Sequence, residues 1–598
     1  MRLVVIFLFV SLFVFGQKNQ KNLAYNYYIN GEHYKAIEIY SDIFKNDFSV
    51  SDYRPYISCL FNIQDYRSAE KLARKAFRKY PKNLNYQLQI AIAQEKNGNK
   101  KKADQNYNKV FDIMNGQMSE TISLANIFKR HDMYSQALNI YLLAEKKNEA
   151  VSFRMQKAEL YLSLGKLDLM IKAYLDELYY LPNRKKVITQ KIQYFLDNNG
   201  IKNYDNYQLV RKLLLPYVRQ EKDRIDFSEL LIWIFMQNDQ FDMALRQAKA
   251  LDRRSHDNGE EVYDMGDFFL DKEEYDLALE AYNYILTKGK ENFLYIDASI
   301  NQIYALTKSL LKQGKDISAI DNLYLEKIRE LGKNKHTVLL FSNYAHFKAF
   351  YIHDLVSAQH ILEDAMNIIQ ISDIDLAECK IEYADVMLLS GNIWDALLYY
   401  AQVEKSFKEH PLGHEAKLRS AKVSYYQGDF TWAQAQLEVL KTSTSKLIAN
   451  DAMKLSLLII DNLNLDTSNI AMEYFAKADL LKYQQKYNEA LVKYDSLLFI
   501  FPSHTLTDEI YMRKAEIYIA LDDISAAIKM YNNIINEWSY DILADDAIYS
   551  LAILYDNILN DELKAKSLYE KIILEYNSSI FASDSRRRFR EIRGDNIQ

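Results

Sequence analysis

Residues 511–531 read YMRKAEIYIALDDISAAIKMY. Ala515 and Ala527 stand twelve apart on either side of the polar break Asp522-Asp523; Tyr531 follows Ala527 by four, and Ile534 comes three later. That is the spacing of two antiparallel helices joined by a short turn. Small side chains on facing arms let the helices approach to about 8–10 Å, and an aromatic ring one turn further on fills the groove beside them. The pattern recurs along the chain. Its second-helix anchor is found at Ala36, Ala69, Ala103, Ala137, Met170, Ala244, Ala278, Ala319, Ala358, Ala396, Ala433, Ala490, Ala527 and Ala565. A small residue stands twelve before many of them (Ala91, Ala125, Ala158, Gly266, Ala384, Ala421, Ala478), and a Tyr or Leu stands four after most, as in Tyr282, Leu323, Tyr400 and Tyr494.

Composition agrees with a helical chain. With 15 Gly and 6 Pro in 598 residues, there are too few turn-formers for a sandwich, barrel or propeller, which need them every 8–12 positions or so. The few present act as punctuation: Gly31, Gly98, Gly165, Gly314, Gly391 and Gly428 lie five before an anchor, at the expected turn, and Pro81, Pro182 and Pro502 lie twelve after one, where the second helix must stop. Apolar residues at 49% and aromatics at 13% supply a core, and no Pro/Gly/Ser-rich linker interrupts it. Lys+Arg 75 against Asp+Glu 81 leaves a formal charge of -6 with both signs dispersed, so no basic face is available for nucleic acid. Cys59 and Cys379 are too far apart in a nearest-neighbour array to pair, and both read as free, buried, small hydrophobes.

These anchors resemble the tetratricopeptide repeat, whose motif places a small residue on the first helix, then Ala, an aromatic and Pro on and after the second. The resemblance runs from about residue 20 to 580 and implies an all-α, right-handed superhelical solenoid of about fifteen antiparallel helical hairpins. Two steps are irregular. The one from Met170 to Ala244 leaves room for a degenerate hairpin, with Gly200 at its turn and Pro216 near its end; the one from Ala433 to Ala490 leaves room for an extra helix over about 446–463 and a lengthened first helix from near Asp466 to Lys486. The expected organisation is an N-terminal array over 17–183, the degenerate segment over 184–243, a middle array over 244–441, the irregular stretch over 442–486, C-terminal units over 487–582 and a basic capping tail over 583–598. The later, longer units resemble the repeats of bacterial outer-membrane assembly factors.

The N-terminus reads as a signal peptide over residues 1–16. Arg2 precedes an apolar run from Leu3 to Phe15, too short for the roughly 20 residues of a membrane span, and Val14 and Gly16 suit a cleavage site before Gln17. Export across the inner membrane to a periplasmic place, with outer-membrane association as an extension, is the expected localisation. No Gly-rich phosphate loop, HExxH, CxxC pair, GxSxG elbow or calcium loop occurs, so neither an enzyme nor a cofactor or metal is expected. The nearest metal-like stretch, Glu409-His410-Pro411-Leu412-Gly413-His414-Glu415, reads as an inter-repeat loop. His346, His353 and His360 recur every seven, but His353 falls at a turn, so they do not share one helix.

Function is carried by the resemblance. Repeats of this kind bind extended peptides or partner helices in the groove lined by their first helices. Carried over by motif position, that lining is Asp385, Lys422, Tyr425, Asp479, Lys482 and Glu516. The family's Lys/Asn clamp for a terminal carboxylate is incomplete, since unit one has Lys21 but Tyr25. Tyrosines outside packing positions, Tyr27, Tyr28, Tyr179, Tyr180, Tyr399, Tyr425 and Tyr426, suit a protein-binding surface. The expected role is an exported, non-enzymatic scaffold or adaptor for envelope proteins or peptides, in outer-membrane or secretion-complex assembly. The alternative is a peripheral binder of envelope polysaccharide or anionic lipid, through the stripe Lys71, Arg74, Lys75 and Arg78; the Arg-rich tail Arg586, Arg587, Arg588, Arg590 and Arg593 reads as a polar cap on the last repeat or a docking patch. The tripeptide Arg593-Gly594-Asp595 reads as coincidence.

Overall fold

The computed structural model describes residues 20–594 apart from 47–48, 199–200, 203, 222–223, 444, 464–468 and 503. The signal peptide over 1–16, Gly200, Asp466 and Asp595 lie outside the described residues. The chain divides into two compact units, one ending at Asn238 and the other starting at Asp239.

Among the described residues the first unit holds six helical hairpins, from a helix over 20–29 paired with His33–Asn46 to the pair Lys185–Leu196 and Tyr204–Gln220, followed by the helix Ile225–Gln237. The second unit opens with the helix Phe241–Ser255 and continues through eight hairpins, from Glu260–Asp271 with Tyr275–Leu286 to Ala544–Ile553 with Glu562–Glu575, closed by the helix Ala582–Arg593. Consecutive first helices lie side by side: Tyr295–Lys312 on Val338–Phe350, then Asp373–Ser390, then Pro411–Tyr426. Each hairpin thus buries against its neighbours what it cannot bury alone. The fold is an all-α solenoid of antiparallel hairpins.

The local chemistry explains the hairpins. Every anchor is buried except Ala319, and the small first-helix residues Ala91, Ala125, Ala158, Ala384, Ala421, Ala478 and Ala515 are wholly excluded from solvent. Each turn needs one residue at positive φ, five before the anchor. Gly supplies it at Gly391 (φ 90), but Gln64, Asp132, Glu273, His353, Gln485 and Asp522 hold the same conformation at φ 57–61 despite their side chains. Asp65, Asp354, Asp429, Asp523 and Asp561 then cap the second helix by accepting from the backbone N–H three residues on. The longer period of the second unit goes partly into 18-residue first helices such as Tyr295–Lys312 and Asp373–Ser390.

Two local readings need correction, at residue 319 and at the first helix after the insertion. The anchor at residue 319 is one position early: Ala319 is exposed, while Ile320 is wholly buried and Tyr324 nearly so, because one extra residue separates Gly314 from the buried position of the helix Ser318–Leu331. Pro216 stands near the end of the degenerate hairpin, inside the helix Tyr204–Gln220, where Val210, Leu214 and Val218 form one buried stripe. The turn of that hairpin is bounded by a two-residue antiparallel pair, Asp197–Asn198 with Ile201–Lys202. In the irregular stretch a helix spans Lys446–Leu463, and the next first helix, Ile470–Tyr483, has the ordinary 14 residues. The additional chain is taken up by the inserted helix itself, which leaves its successor at normal length.

The corrected register is testable. Ile320→Ala should cost about 2–5 kcal/mol in urea unfolding, as for a filled core site, whereas Ala319→Ser should stay within about 0.5 kcal/mol. The reverse order of losses would restore the earlier register.

Candidate functional site

A polar ladder runs along the first helices of the second unit. The residue after the small first-helix residue is Asp267, Asp385 or Asp479, and each takes a hydrogen bond from the tyrosine four after the anchor: Tyr282 donates to Asp267 at 2.6 Å, Tyr494 to Asp479 at 2.5 Å, and Tyr400 to Asp385. The next first helix then sends a donor across. Asn301 Nδ2 reaches Asp267 at 3.1 Å, Arg513 Nε lies 3.3 Å from Asp479, and Arg419 pairs with Asp385. The last hairpin repeats the scheme at Asp556, which accepts from Tyr569 at 3.1 Å and from Arg588 Nε and Nη2 at 2.6 and 2.9 Å. A carboxylate shielded from water requires such partners, so each rung ties its hairpin to the helix that follows.

The ladder also passes the inserted helix. Tyr425 on Pro411–Tyr426 donates to Asp479 on Ile470–Tyr483 at 2.9 Å, so these two first helices are neighbours although Lys446–Leu463 lies between them in sequence. Displaced from the row, the inserted helix forms a wall over it and encloses a cavity of about 520 Å³. Lys422, Tyr425, Tyr426, Asp479, Glu509, Met512, Arg513, Glu516, Asp546 and Ser550 line it from four consecutive first helices; Asp451, Lys454, Leu455, Leu457, Leu458 and Asp461 line it from the inserted helix. Ile542 and Leu543 complete the rim. The inserted helix is fastened by Gln434 donating to Ser456 at 2.6 Å, Thr505 to Asn462 at 2.7 Å, and Asn462 to Glu509 at 3.3 Å.

Of the six residues carried over from the repeat motif, Lys422, Tyr425, Asp479 and Glu516 line this cavity, and Lys482 is beside it, bonded to Glu516. Asp385 stands apart in the Arg419 rung. Tyr425 is 1% exposed, so its ring is part of the wall rather than a displayed contact. Sequence reasoning missed Arg419 and Arg513, whose signal is an opposite charge 34 residues after each Asp, and the carboxylates of the inserted helix, which follow no repeat position.

Other candidates take structural places. Glu409 to Glu415 is not a loop: Pro411 opens a helix, His410 caps it by accepting from the Leu412 N–H at 3.2 Å, Gly413 packs on the Phe407 carbonyl, and His414 bonds Ser443 at 2.9 Å. His346 pairs with Glu382, and His353 sits at its turn with φ 60. Lys21 pairs with Asp52 at 3.2 Å. Arg74 is bound to Glu70, and Lys75 donates to the Phe44 carbonyl. Tyr180 is stacked under Arg154 at 4.0 Å. Cys59 and Cys379 are free and buried, and burial pushes their thiols up to about 11 and about 12. Among the described residues no group of three or more His, Cys, Asp or Glu is placed to hold a metal ion, and no helix is long and apolar enough to cross a membrane.

No protein-family model matches this chain, and no curated protein does. Among solved structures it is similar to a chain of the Naa15/Naa10 complex bound to HypK-THB, at 13% identity over 96% of both chains with a TM-score of 0.29. It is also similar to a tetratricopeptide repeat protein from Parabacteroides merdae, at 14% identity over 46% of this chain and 91% of that one, TM-score 0.25. A third likeness is to yeast Tom70, at 13% identity over 92% of this chain and 99% of that one, TM-score 0.24. The hairpin architecture rests on the contacts described above and takes nothing from these likenesses.

The cavity is short of positive charge. Arg513 serves both Asp479 and Glu516, and together with Lys482 it holds the Glu516 carboxyl below its usual range although burial opposes this. Burial, reinforced by the adjoining Asp508, raises the Glu509 carboxyl well above its usual range; burial raises Asp546 as well. Glu509 occupies the first turn of Thr507–Ala520, where the helix dipole favours a negative charge by about 0.3–1 kcal/mol, but burial is the larger effect. A carboxyl whose folded pKa is raised stabilises the fold below its unfolded value of about 4.3, and that contribution is lost as pH climbs through neutrality. Glu509→Gln keeps the neutral form at every pH. Its melting temperature should match the native protein's at about pH 4 and exceed it by roughly 2–4 °C at about pH 8, measured by circular dichroism; a gap that does not change with pH would exclude the charge as its cause.

Proposed function

We propose that this chain is a non-enzymatic scaffold that binds a protein or peptide partner on the first-helix face of its second unit, seated at the cavity beside the inserted helix. The carrying observation is the wall. A helix displaced from the repeat row leaves a concave site with two exposed apolar residues on its lining, Leu457 at 50% and Ile542 at 63% exposure, beside polar groups that include Lys422 and Lys454, neither in an ion pair among the described residues. A concave site with apolar walls and a few convergent polar groups suits a segment of another chain better than a flat surface does.

The apolar run at residues 3–15 supports placing this scaffold outside the cytoplasm, with envelope proteins as partners. The rival reading, adhesion to anionic lipid or polysaccharide through Lys71, Arg74, Lys75 and Arg78, has less support, because Arg74 and Lys75 are already engaged within the chain.

A photocrosslinking side chain placed at Leu457 or Ile542 should capture a defined partner in cells, identified by mass spectrometry, whereas the same group at Leu563, 82% exposed on the second helix of the last hairpin, should not. Adducts confined to Leu563 would move the binding face to the outer helices. For the location, residues 1–30 fused to a reporter active only outside the cytoplasm should give signal, and exchanging Leu8 and Phe9 for Lys should abolish it. Signal that persists in the lysine variant would remove the export reading.

A further inference from the structure

We infer that the cavity beside the inserted helix receives a basic side chain, Lys or Arg, from the segment of a partner protein that docks there. The inference rests on the reading of this face as a protein-binding site and names the chemistry of what fills it.

Charge supplies the first argument. The lining carries the carboxylates Asp451, Asp461, Asp479, Glu516 and Asp546 against the cations Lys422, Lys454 and Arg513. Arg513 is already committed to Asp479 and Glu516. Asp451, Asp461 and Asp546 have no hydrogen-bonded or ion-paired cation among the described residues, whereas Glu509 is bonded to Asn462 and the adjoining Asp508. An incoming ammonium or guanidinium would bring these three carboxylates the charged donor they lack.

Shape supplies the second. Leu455, Leu457, Leu458, Met512 and Ile542 give the cavity apolar sides, and the Tyr425 and Tyr426 rings stand in its lining. A Lys or Arg side chain combines an aliphatic stem with a charged head, so the stem lies on the leucines while the head meets carboxylates and ring faces. A metal ion would leave the apolar sides unused, and an acidic or purely apolar segment would meet uncompensated carboxylates. The volume of about 520 Å³ holds one such side chain with part of its backbone.

The test uses the full chain and three fluorescent peptides: octalysine, the same peptide with every ε-amine acetylated, and octaglutamate. Octalysine should bind at least about tenfold more tightly than either of the others. Asp461→Asn with Asp546→Asn should weaken octalysine about fivefold, and Lys454→Gln should strengthen it. A control double variant on the outer helix Glu562–Glu575, Glu562→Gln with Glu570→Gln, removes the same net charge and should change binding less than about twofold. Equal binding of the acetylated peptide, or equal loss in the control, would overturn the inference, the second by showing that diffuse attraction to an acidic protein is enough. The two levels of the reading separate cleanly: partner adducts from Leu457 together with charge-blind peptide binding would sink the basic side chain alone, whereas absence of adducts from both lining positions would sink the binding face as well.

Discussion

Where both facing side chains are no larger than a methyl group, they fix how near the arms of a hairpin can come, and the packing around them adjusts to that distance. At Gly266 the constraint is tightest: a Cβ there would lie 2.8 Å from Cε1 of Tyr282, so even Ala would push the ring. Elsewhere the pair is Ala on Ala, as at Ala384 with Ala396 and Ala478 with Ala490, all excluded from solvent. Close approach leaves a groove one turn along, which only a large flat side chain fills, and the tyrosine four after the anchor does so. Filling it with Tyr rather than Phe places a hydroxyl at the end of the ring. That hydroxyl must find an acceptor, and the residue beside the small one on the opposite arm, Asp267, Asp385 or Asp479, is within reach.

The carboxylate so introduced creates a new requirement. Phenolic donors leave the charge uncompensated on an aspartate with side-chain exposure of 9% at Asp385 or 11% at Asp479, and the neighbouring repeat supplies an arginine. Packing inside one hairpin is thereby converted into bonding between hairpins. At the C-terminal end the same need is met by Arg588, which explains why one arginine of the basic tail is fixed on Asp556 while Arg587 only pairs with the nearby exposed Asp584. The last helix terminates the ladder.

Much of this was legible because it is periodic. The Ala and Tyr spacings define hairpins, and the turn position five before the anchor is recoverable even where Gln485 or Glu273 stands in for glycine, since the anchor itself marks it. What escaped was aperiodic. One extra residue after Gly314 shifts the anchor from Ala319 to Ile320, and small residues are common enough that the wrong one satisfied the pattern. Pro411 and Gly413 look like a loop by composition, yet proline is at home in the first turn of a helix, and this glycine is a contact point against the Phe407 carbonyl. Motif positions brought four residues to the cavity, but its acidic outer wall follows no repeat and could be found only by placing the inserted helix in space.

An inserted helix would be expected to break a solenoid, because each hairpin depends on direct contact with the next. Here the row closes behind the insertion: Tyr425 and Asp479 remain hydrogen-bonded, and Pro411–Tyr426 still packs on Ile470–Tyr483. The helix Lys446–Leu463 is therefore surplus to the row and must bury its apolar stripe, Ile448, Ala452 and Ile459, on what is left exposed beside it. It cannot do so completely, since it has one face and no partner hairpin of its own, and its uncovered side keeps Leu457 in contact with solvent. A regular repeat has no reason to hold Asp451, Lys454 and Asp461 opposite a row that already carries Asp479 and Glu516. The departure from periodicity is thus where the array gains a concave, charged and partly apolar site, and the ladder that keeps the row closed is what holds that site's floor in place.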